Sequence, residues 1–320
     1  MEAFIGIDTS NYTTSVAAVC SGGVLSDERL ILDVKQGFRG LRQSEALFQH
    51  VKNLPVLCQK VLEQLKDMNI KGIGYSSKPR PVENSYMPVF IAGSSMAKVL
   101  SAALDVPLVE TTHQEGHMAA GIWSCKENII SNNFNAVHIS GGTTEVLEIT
   151  DFNSALLQSK INLIGGTSDL HAGQFVDRVG VKMGLNFPAG PQLELLARNS
   201  KNHLSFPCVV QGLNISFSGP ESHAQRLLEK GEYLEDIARG VENCLAKTLE
   251  KLIINVYYRN NLPDFLIMGG VSSNNYLRNV LIENINKKEP GINIFFADPR
   301  YSSDNAVGIG FITLRRVGGA

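Results

Sequence analysis

The sequence predicts an α/β protein built of two similar halves, and three observations carry that reading. Strands followed by helices recur along the whole chain, the pattern of layered α/β folds. Each half opens on a strand, a polar or glycine-rich turn and a returning strand. At one domain per ~150 residues, the 320 residues leave each half enough chain to bury its own core.

The elements follow in order. Phe4-Ile5-Gly6-Ile7 is an apolar run, Asp8-Thr9-Ser10-Asn11 a polar turn, and the segment from Thr14 to Val19 resumes with small and β-branched residues. From Ser44 to Leu65, apolar residues at Leu47, Val51, Leu54, Leu57, Val61 and Leu65 mark an amphipathic helix, with Pro55 as a kink. Ile91 to Leu104 reads as a second helix, Val106 to Glu110 as a short strand, and a third helix begins near Thr112. The second half repeats the pattern. Ala136 to Ile139 is a strand ending in Ser140-Gly141-Gly142-Thr143-Thr144, and Glu145 to Ile149 returns. A helix runs from Glu235 to Tyr257, with Ile237, Val241, Leu245, Leu249, Leu252 and Val256 on one face. Phe265 to Met268 is a strand leading into Gly269-Gly270-Val271-Ser272-Ser273-Asn274 and another helix. Ile292 to Ala297 is a last strand, and Asp304 opens a final helix of small residues. The expected division is a first lobe over 1–112, a second over 113–300, and a C-terminal helix over 301–320 that packs back on the first lobe.

Composition excludes several classes. Twenty-nine Lys+Arg against 31 Asp+Glu give 29 − 31 = −2, and 43% apolar with 19% charged residues is ordinary for a globular protein. No apolar run approaches the ~20 residues that span a bilayer. The N-terminus has no basic region, and the five cysteines form no C-x-x-C pair, so the expectation is a cytoplasmic protein with reduced thiols. Near-neutral charge argues against a broad basic surface for nucleic acid, though not against a local patch or help from a partner.

The chemistry-bearing residues gather at turns. Glycines at 141–142 and 269–270 let backbone N–H groups approach an anion closely, the second pair at the mouth of a helix. No P-loop is present, and no G-x-G-x-x-G follows a strand. The sharpest local feature is His113-Gln114-Glu115-Gly116-His117. Residues four apart share a helix face, so both imidazoles can ligate one metal ion. Glu115 lies two residues after His113, about 200° around the helix, and is badly placed as a base for metal-bound water, which disfavours a zinc protease. Two histidines leave room for a carboxylate, with Asp169, Asp177 and Asp304 as candidates at helix starts. His138 lies in an apolar strand and reads as a core residue; His50, His203 and His223 read as solvent-facing, and nothing demands a role of His171.

Taken together, eight ordered segments from Ile5 to Phe311 resemble the transferase family of the tRNA threonylcarbamoyladenosine synthase. They are Ile7 to Ser10, Thr112 to His117, Ile139 to Thr144, Thr167 to Asp177, Gly184 to Pro191, Ser216 to Gly219, Gly269 to Asn274 and Ser303 to Ala306. The resemblance implies two duplicated lobes of the actin-like ATPase (ribonuclease H-like) kind around a central cleft. It implies one divalent ion, iron or zinc, at the positions His113, His117 and Asp304. It also implies contacts to an adenine nucleotide or acyl-adenylate from His138, Ile139, Ser140, Gly141 and Gly142, and from Asp177, Gly190 and Asn274. No catalytic side chain is assigned. The implied reaction moves a threonylcarbamoyl group from its adenylate to a tRNA adenosine. Implied partners are a second copy or a related actin-like subunit, tRNA reached through a partner, and no membrane.

The chain also departs from that family's pattern. Tyr12 and Thr13 stand where the family's first hairpin is acidic, and Ser76 to Tyr86 replaces a Gly-Pro-Gly loop. Thr143, Leu170, Gln174 and Glu221 replace a histidine, an aspartate, a glutamate and a lysine. Two alternatives therefore stand beside the transferase reading. One is a diverged paralogue that carbamoylates another acceptor, and the other is a non-catalytic nucleotide-binding partner. A sugar kinase of the same architecture would use Asp8 for magnesium and leave the histidine pair without purpose.

Overall fold

Residues 2–9 and 13–20 are buried on both faces, which is why their sequences run in small and apolar residues instead of alternating. In the computed structural model, which describes residues 1–10, 12–34, 41–125, 131–150 and 160–318, they form β1 (Glu2–Thr9) and β2 (Thr13–Cys20). Next come β3 (Gly23–Ile31), α1 (Gln43–Gln64), β4 (Asn69–Ser76), α2 (Phe90–Leu104), β5 (Leu108–Thr111) and α3 (His113–Ser124). The strands make a sheet of order β3-β2-β1-β4-β5. The β1–β2 and β2–β3 pairs are antiparallel, and β1–β4 and β4–β5 are parallel.

The second half holds β6 (Phe134–Ile139), β7 (Thr144–Thr150), β8 (Lys160–Thr167), α4 (Ala172–Lys182), α5 (Gly190–Ala197), β9 (Val209–Gln211) and β10 (Asn214–Ser216). It continues through α6 (Ser218–Glu229), α7 (Leu234–Asn260), β11 (Asp264–Met268), α8 (Asn275–Lys288), β12 (Asn293–Phe296) and α9 (Val307–Gly318). Within its seven-stranded sheet the run β8-β7-β6-β11-β12 repeats the first sheet's order. It repeats the directions too, antiparallel on the β7 side of β6 and parallel on the β11 side. Two lobes of one topology are the actin-like, ribonuclease H-like architecture expected from the sequence. Among the described residues no helix is long and apolar enough to cross a membrane.

The chain separates into two units, the described residues of 1–125 with 303–318 and those of 131–150 with 160–302. The boundary thus follows α3 and does not precede it at 112. In the first unit Ile5, Ile7, Val16, Leu54, Leu57, Val61 and Ile73 form a core between the sheet and α1. In the second, α7 supplies Ile237, Val241, Leu245, Leu249, Leu252 and Val256 to a core closed by Phe175, Phe217 and Phe265.

Helix α9 packs against β1, β2, β4 and α3. Its backbone comes so close to α3 that a Cβ on Gly308 would lie 1.8 Å from the Gly116 carbonyl oxygen. On the sheet side, a Cβ on Gly6 would lie 2.3 Å from the Ala306 oxygen. The helix begins at Val307 and not at the expected Asp304, because Asn305 Oδ1 accepts the Val307 amide at 3.0 Å and holds Asp304 in the preceding turn.

Four cysteines are buried and the fifth is partly so, all as free thiols. His50, expected to face solvent, is fully buried and bonds Thr14 Oγ1 through Nδ1 at 2.9 Å. Its place on α1 explains this, since Ala46 and Leu54, four residues to either side, share the buried face.

Gly308→Ala should force α9 away from α3 and lower stability by about 1–3 kcal/mol, the usual range for overpacking a tight contact. Urea unfolding of the variant checks this, and an unchanged midpoint would show that the two backbones have room to spare.

Candidate functional site

Helix α3 begins with every early amide satisfied. Thr112 and Glu115 form a reciprocal capping box, Thr112 Oγ1 accepting from Glu115 N at 3.3 Å and Glu115 Oε2 from Thr112 N at 2.8 Å. Both Thr112 Oγ1 and Thr111 Oγ1 also donate to Glu115 Oε2, at 2.7 and 3.1 Å. The carboxylate is held at the helix start, which agrees with the sequence argument that it is badly placed as a base. The amides of His113 and Gln114 donate to the carbonyls of Lys78 and Pro79, each at 3.0 Å. The segment that replaces the family's glycine loop thus caps this helix.

One turn of α3 separates His113 from His117, and their Nε2 atoms converge to 3.1 Å. Asp304 Oδ1 lies 3.2 Å from His117 Nε2 and 3.5 Å from His113 Nε2. Of the three candidate carboxylates, only Asp304 joins the histidines. The turn that presents it is fixed by Asn305, whose Nδ2 donates to the Ser303 carbonyl at 2.8 Å, and by Ser15, whose hydroxyl accepts the Ala306 amide at 2.9 Å. Behind the triad, His113 Nδ1 is 3.1 Å from Asp8 Oδ1, and Ser76 Oγ donates to the same oxygen.

The electrostatics follow from these contacts. Burial works against charge on His113, but the Asp8 carboxylate and Asp304 lift its pKa well above the ordinary histidine value. Burial likewise opposes ionisation of Asp304, and hydrogen bonds from His113 and His117 hold it well below the usual carboxylate range. For Asp8, burial is outweighed by His113 and Ser76, and its pKa is lowered.

The residues fit a metal ion. Ligands about 2.0–2.2 Å from one tetrahedral ion stand about 3.3–3.6 Å apart, close to the separations of the three donor atoms, which all lie within 4.8 Å of one another. Two imidazoles and one carboxylate form the donor set of many iron and zinc sites.

The adenylate positions expected from the sequence all lie in the second unit. His138 and Ile139 are buried at the end of β6, with His138 level with Met268 of β11, so the turns after both strands start side by side. Ser140 closes the first turn: its carbonyl accepts the Gly173 amide at 3.0 Å and its hydroxyl the Thr143 amide at 3.0 Å. Gly141 and Gly142 are exposed, lack left-handed backbone, and would place a Cβ within 4 Å of nothing. Neither crowding nor conformation within the chain demands glycine there.

Asp177 lies inside α4 and not at a helix start, and its Oδ1 accepts the Ala189 amide at 2.8 Å, which sets it beside Gly190. Asp169 has a structural task, accepting from Ser216 and Ser218 hydroxyls and from the Leu170 and Phe217 amides. Asn274 caps α8 by accepting the Leu277 amide at 2.8 Å, and its Nδ2 donates to Glu242 Oε1 at 2.6 Å.

Two residues escaped the sequence reading, Asp8 as the partner of His113 and Glu242 beneath Asn274. The first had a signal, an acid at the end of a strand in a polar turn. The second had only an acid among apolar neighbours on α7. Burial pushes the Glu242 carboxyl up to about 7 against the pull of the Asn274 amide and Arg239. Between its ordinary value of 4.5 and 7 the folded chain holds a proton that the unfolded chain releases. Stability should therefore fall as pH rises from about 5 to 7, and Glu242→Gln should flatten that slope, read from melting temperatures of both proteins across the window. Parallel curves for the two proteins would exclude the effect.

The family model described as TsaD, tRNA N6-adenosine threonylcarbamoyltransferase, matches residues 24–311. The chain is 31% identical to the Sulfurihydrogenibium sp. protein named tRNA N6-adenosine threonylcarbamoyltransferase, over 98% of this chain and 90% of the relative. It is 29% identical to the Thermus thermophilus protein of the same name, over 98% and 92%. Among solved structures, the activator of the 2-hydroxyisocaproyl-CoA dehydratase from Clostridium difficile, with bound ADPNP, superposes with a TM-score of 0.53. It is 16% identical, with 97% of this chain and 94% of that one covered, and so shares the fold.

Proposed function

Since the chain belongs to the tRNA N6-adenosine threonylcarbamoyltransferase family, a family of transferases, we propose that it moves a threonylcarbamoyl group from its adenylate to an adenosine of tRNA. The observation that carries the metal-dependent form of this reading is the convergence of His113, His117 and Asp304 on one point. These residues would hold a single divalent ion, iron or zinc. When bound, the ion supplies Lewis-acid polarisation of a carbonyl or phosphoryl oxygen.

The chain's own residues have separate tasks. His113 and His117 present Nε2 lone pairs, and Asp304 adds the negative charge that favours a cation. The open backbone of Gly141 and Gly142 receives the phosphate of the adenylate, the Gly142 amide giving up its long 3.3 Å bond to the Ser140 hydroxyl to do so. The Asp177 carboxyl, fixed through Ala189 and beside Gly190, faces the ribose hydroxyls. Beyond its two bonds Asn274 keeps a second Nδ2 hydrogen and a second Oδ1 lone pair, which it offers to the nucleotide. In the transfer itself the adenosine amine forms a bond to the carbamoyl carbon, the carbon–oxygen bond to the phosphate breaks, AMP leaves, and the proton shed by the amine passes to water. With a net charge of −2, the chain draws positive surface for tRNA from a partner, a related actin-like subunit, and works in the cytoplasm.

The test is incubation of the purified chain with metal, synthetic threonylcarbamoyl-adenylate, tRNA and, where required, the partner subunit. The modified nucleoside should appear in the tRNA digest. Adenylate bound while tRNA stays unmodified under all these conditions would favour the non-catalytic reading.

Two further outcomes are expected. His113→Ala should lose most of its metal in elemental analysis, and retention of stoichiometric metal would end the metal-site assignment. Gly142→Ala should leave the melting temperature unchanged while weakening adenylate binding in calorimetry, because its Cβ meets no atom of the chain. Equal affinity would take the phosphate away from that turn.

A further inference from the structure

We propose that Asp8 is a positioning residue of the metal site, whose buried carboxylate accepts a hydrogen bond from His113 Nδ1 and so turns Nε2 toward His117 and Asp304. The inference rests on the metal reading above and assigns a role to a residue outside the donor triad.

The argument begins with cost. Asp8 is fully buried, and an ionised carboxylate removed from water is expensive unless donors surround it. Its Oδ1 receives two, the Ser76 hydroxyl and the His113 ring nitrogen at 3.1 Å. Its Oδ2 is buried with no hydrogen-bond partner among the described residues. A residue serving packing alone would be cheaper as an apolar or amide side chain. Charge at this place therefore acts on the group it touches.

That group is an imidazole with two distinct nitrogens. A neutral ring carries one proton, and the nitrogen that bonds a carboxylate keeps it. With Nδ1–H facing Asp8, it is Nε2 that is turned to the triad, 3.1 Å from His117 Nε2 and 3.5 Å from Asp304 Oδ1, and Nε2 is the nitrogen that sheds its proton when a metal binds. The carboxylate also makes the imidazole a stronger donor.

The backbone places all three layers. In the parallel pair β1–β4, Ile7 lies level with Tyr75, so Asp8, one residue before the end of β1, comes beside Ser76 at the end of β4. Ser76 in turn lies level with Thr111 on β5, two residues before His113. A serine on β4 thus steadies an aspartate on β1, which steadies a histidine on α3.

The experiment compares the full-length wild-type chain with Asp8→Asn by chelator competition for Zn2+ and Co2+, together with the visible spectrum of the Co2+ form. Asp8→Asn should bind about 10–100-fold more weakly, the usual loss when such a supporting partner is removed. Its Co2+ bands should shift relative to those of the wild type. Equal affinity and an unchanged spectrum overturn the proposal and leave the metal site standing. Failure of the wild-type chain to bind either ion overturns the metal reading instead. Should Asp8→Asn not fold, 15N spectra of the wild-type histidines in the Zn2+ form decide the matter. A proton on His113 Nδ1 is expected, and a proton on Nε2 overturns the assignment.

Discussion

The close passage of α9 over α3 governs where the candidate metal donors can be. Gly116 sits between the two histidines, one residue before His117, and Gly308 lies four residues after Asp304. A Cβ on Gly308 would fall within 1.8 Å of the Gly116 carbonyl, so only a bare α-carbon lets the helices approach this far. Because interiors are close-packed, helices cannot drift apart without opening a void. An aspartate nearly two hundred residues downstream is thereby held within hydrogen-bond distance of an imidazole. The two glycines act as a spacer of zero thickness, and the donor separations depend on it.

How much of this was legible in the sequence depends on which force set each feature. Helices α1 and α7 could be read from apolar periodicity, to within three residues at either end, because burial against one core dictates where their leucines and isoleucines fall. Strands β6 and β11 were equally clear. The triad was legible in part. The histidine spacing follows from helix geometry, but which of Asp169, Asp177 and Asp304 completes the set depends on tertiary folding, and the choice among them came from family resemblance alone. Asp169 has a strand-to-helix turn to hold together, and Asp177 lies in the middle of α4. His50 misled because polar neighbours in sequence say little about the face of a helix on which a residue stands. The start of α9 was placed early because the Asn305 side chain mimics a helical turn.

The two sets of expected site residues obey different physics. The metal set in the first unit consists of side chains locked by mutual charge. Burial penalises each ion, and the opposite charges of Asp8, His113 and Asp304 offset that penalty. The adenylate set in the second unit consists largely of backbone. Gly141 and Gly142 are exposed and uncrowded, the Ser140 hydroxyl stabilises a turn, and Asp177 is oriented by one amide. The first kind of site tolerates little substitution of its side chains, whereas the second is sensitive to any atom added near its main chain.

The capping of α3 has one more consequence. The amino end of a helix ordinarily attracts oxyanions, because its first amides point outward and the helix dipole is positive there. Here Lys78 and Pro79 have plugged that end with their own carbonyls, and Thr112 with its hydroxyl. A diffusing phosphate would find no amide docking point at the start of this helix. With those first amides spent on the chain's own oxygens, whatever is held beside the imidazole pair must be held by side chains and not by the helix end.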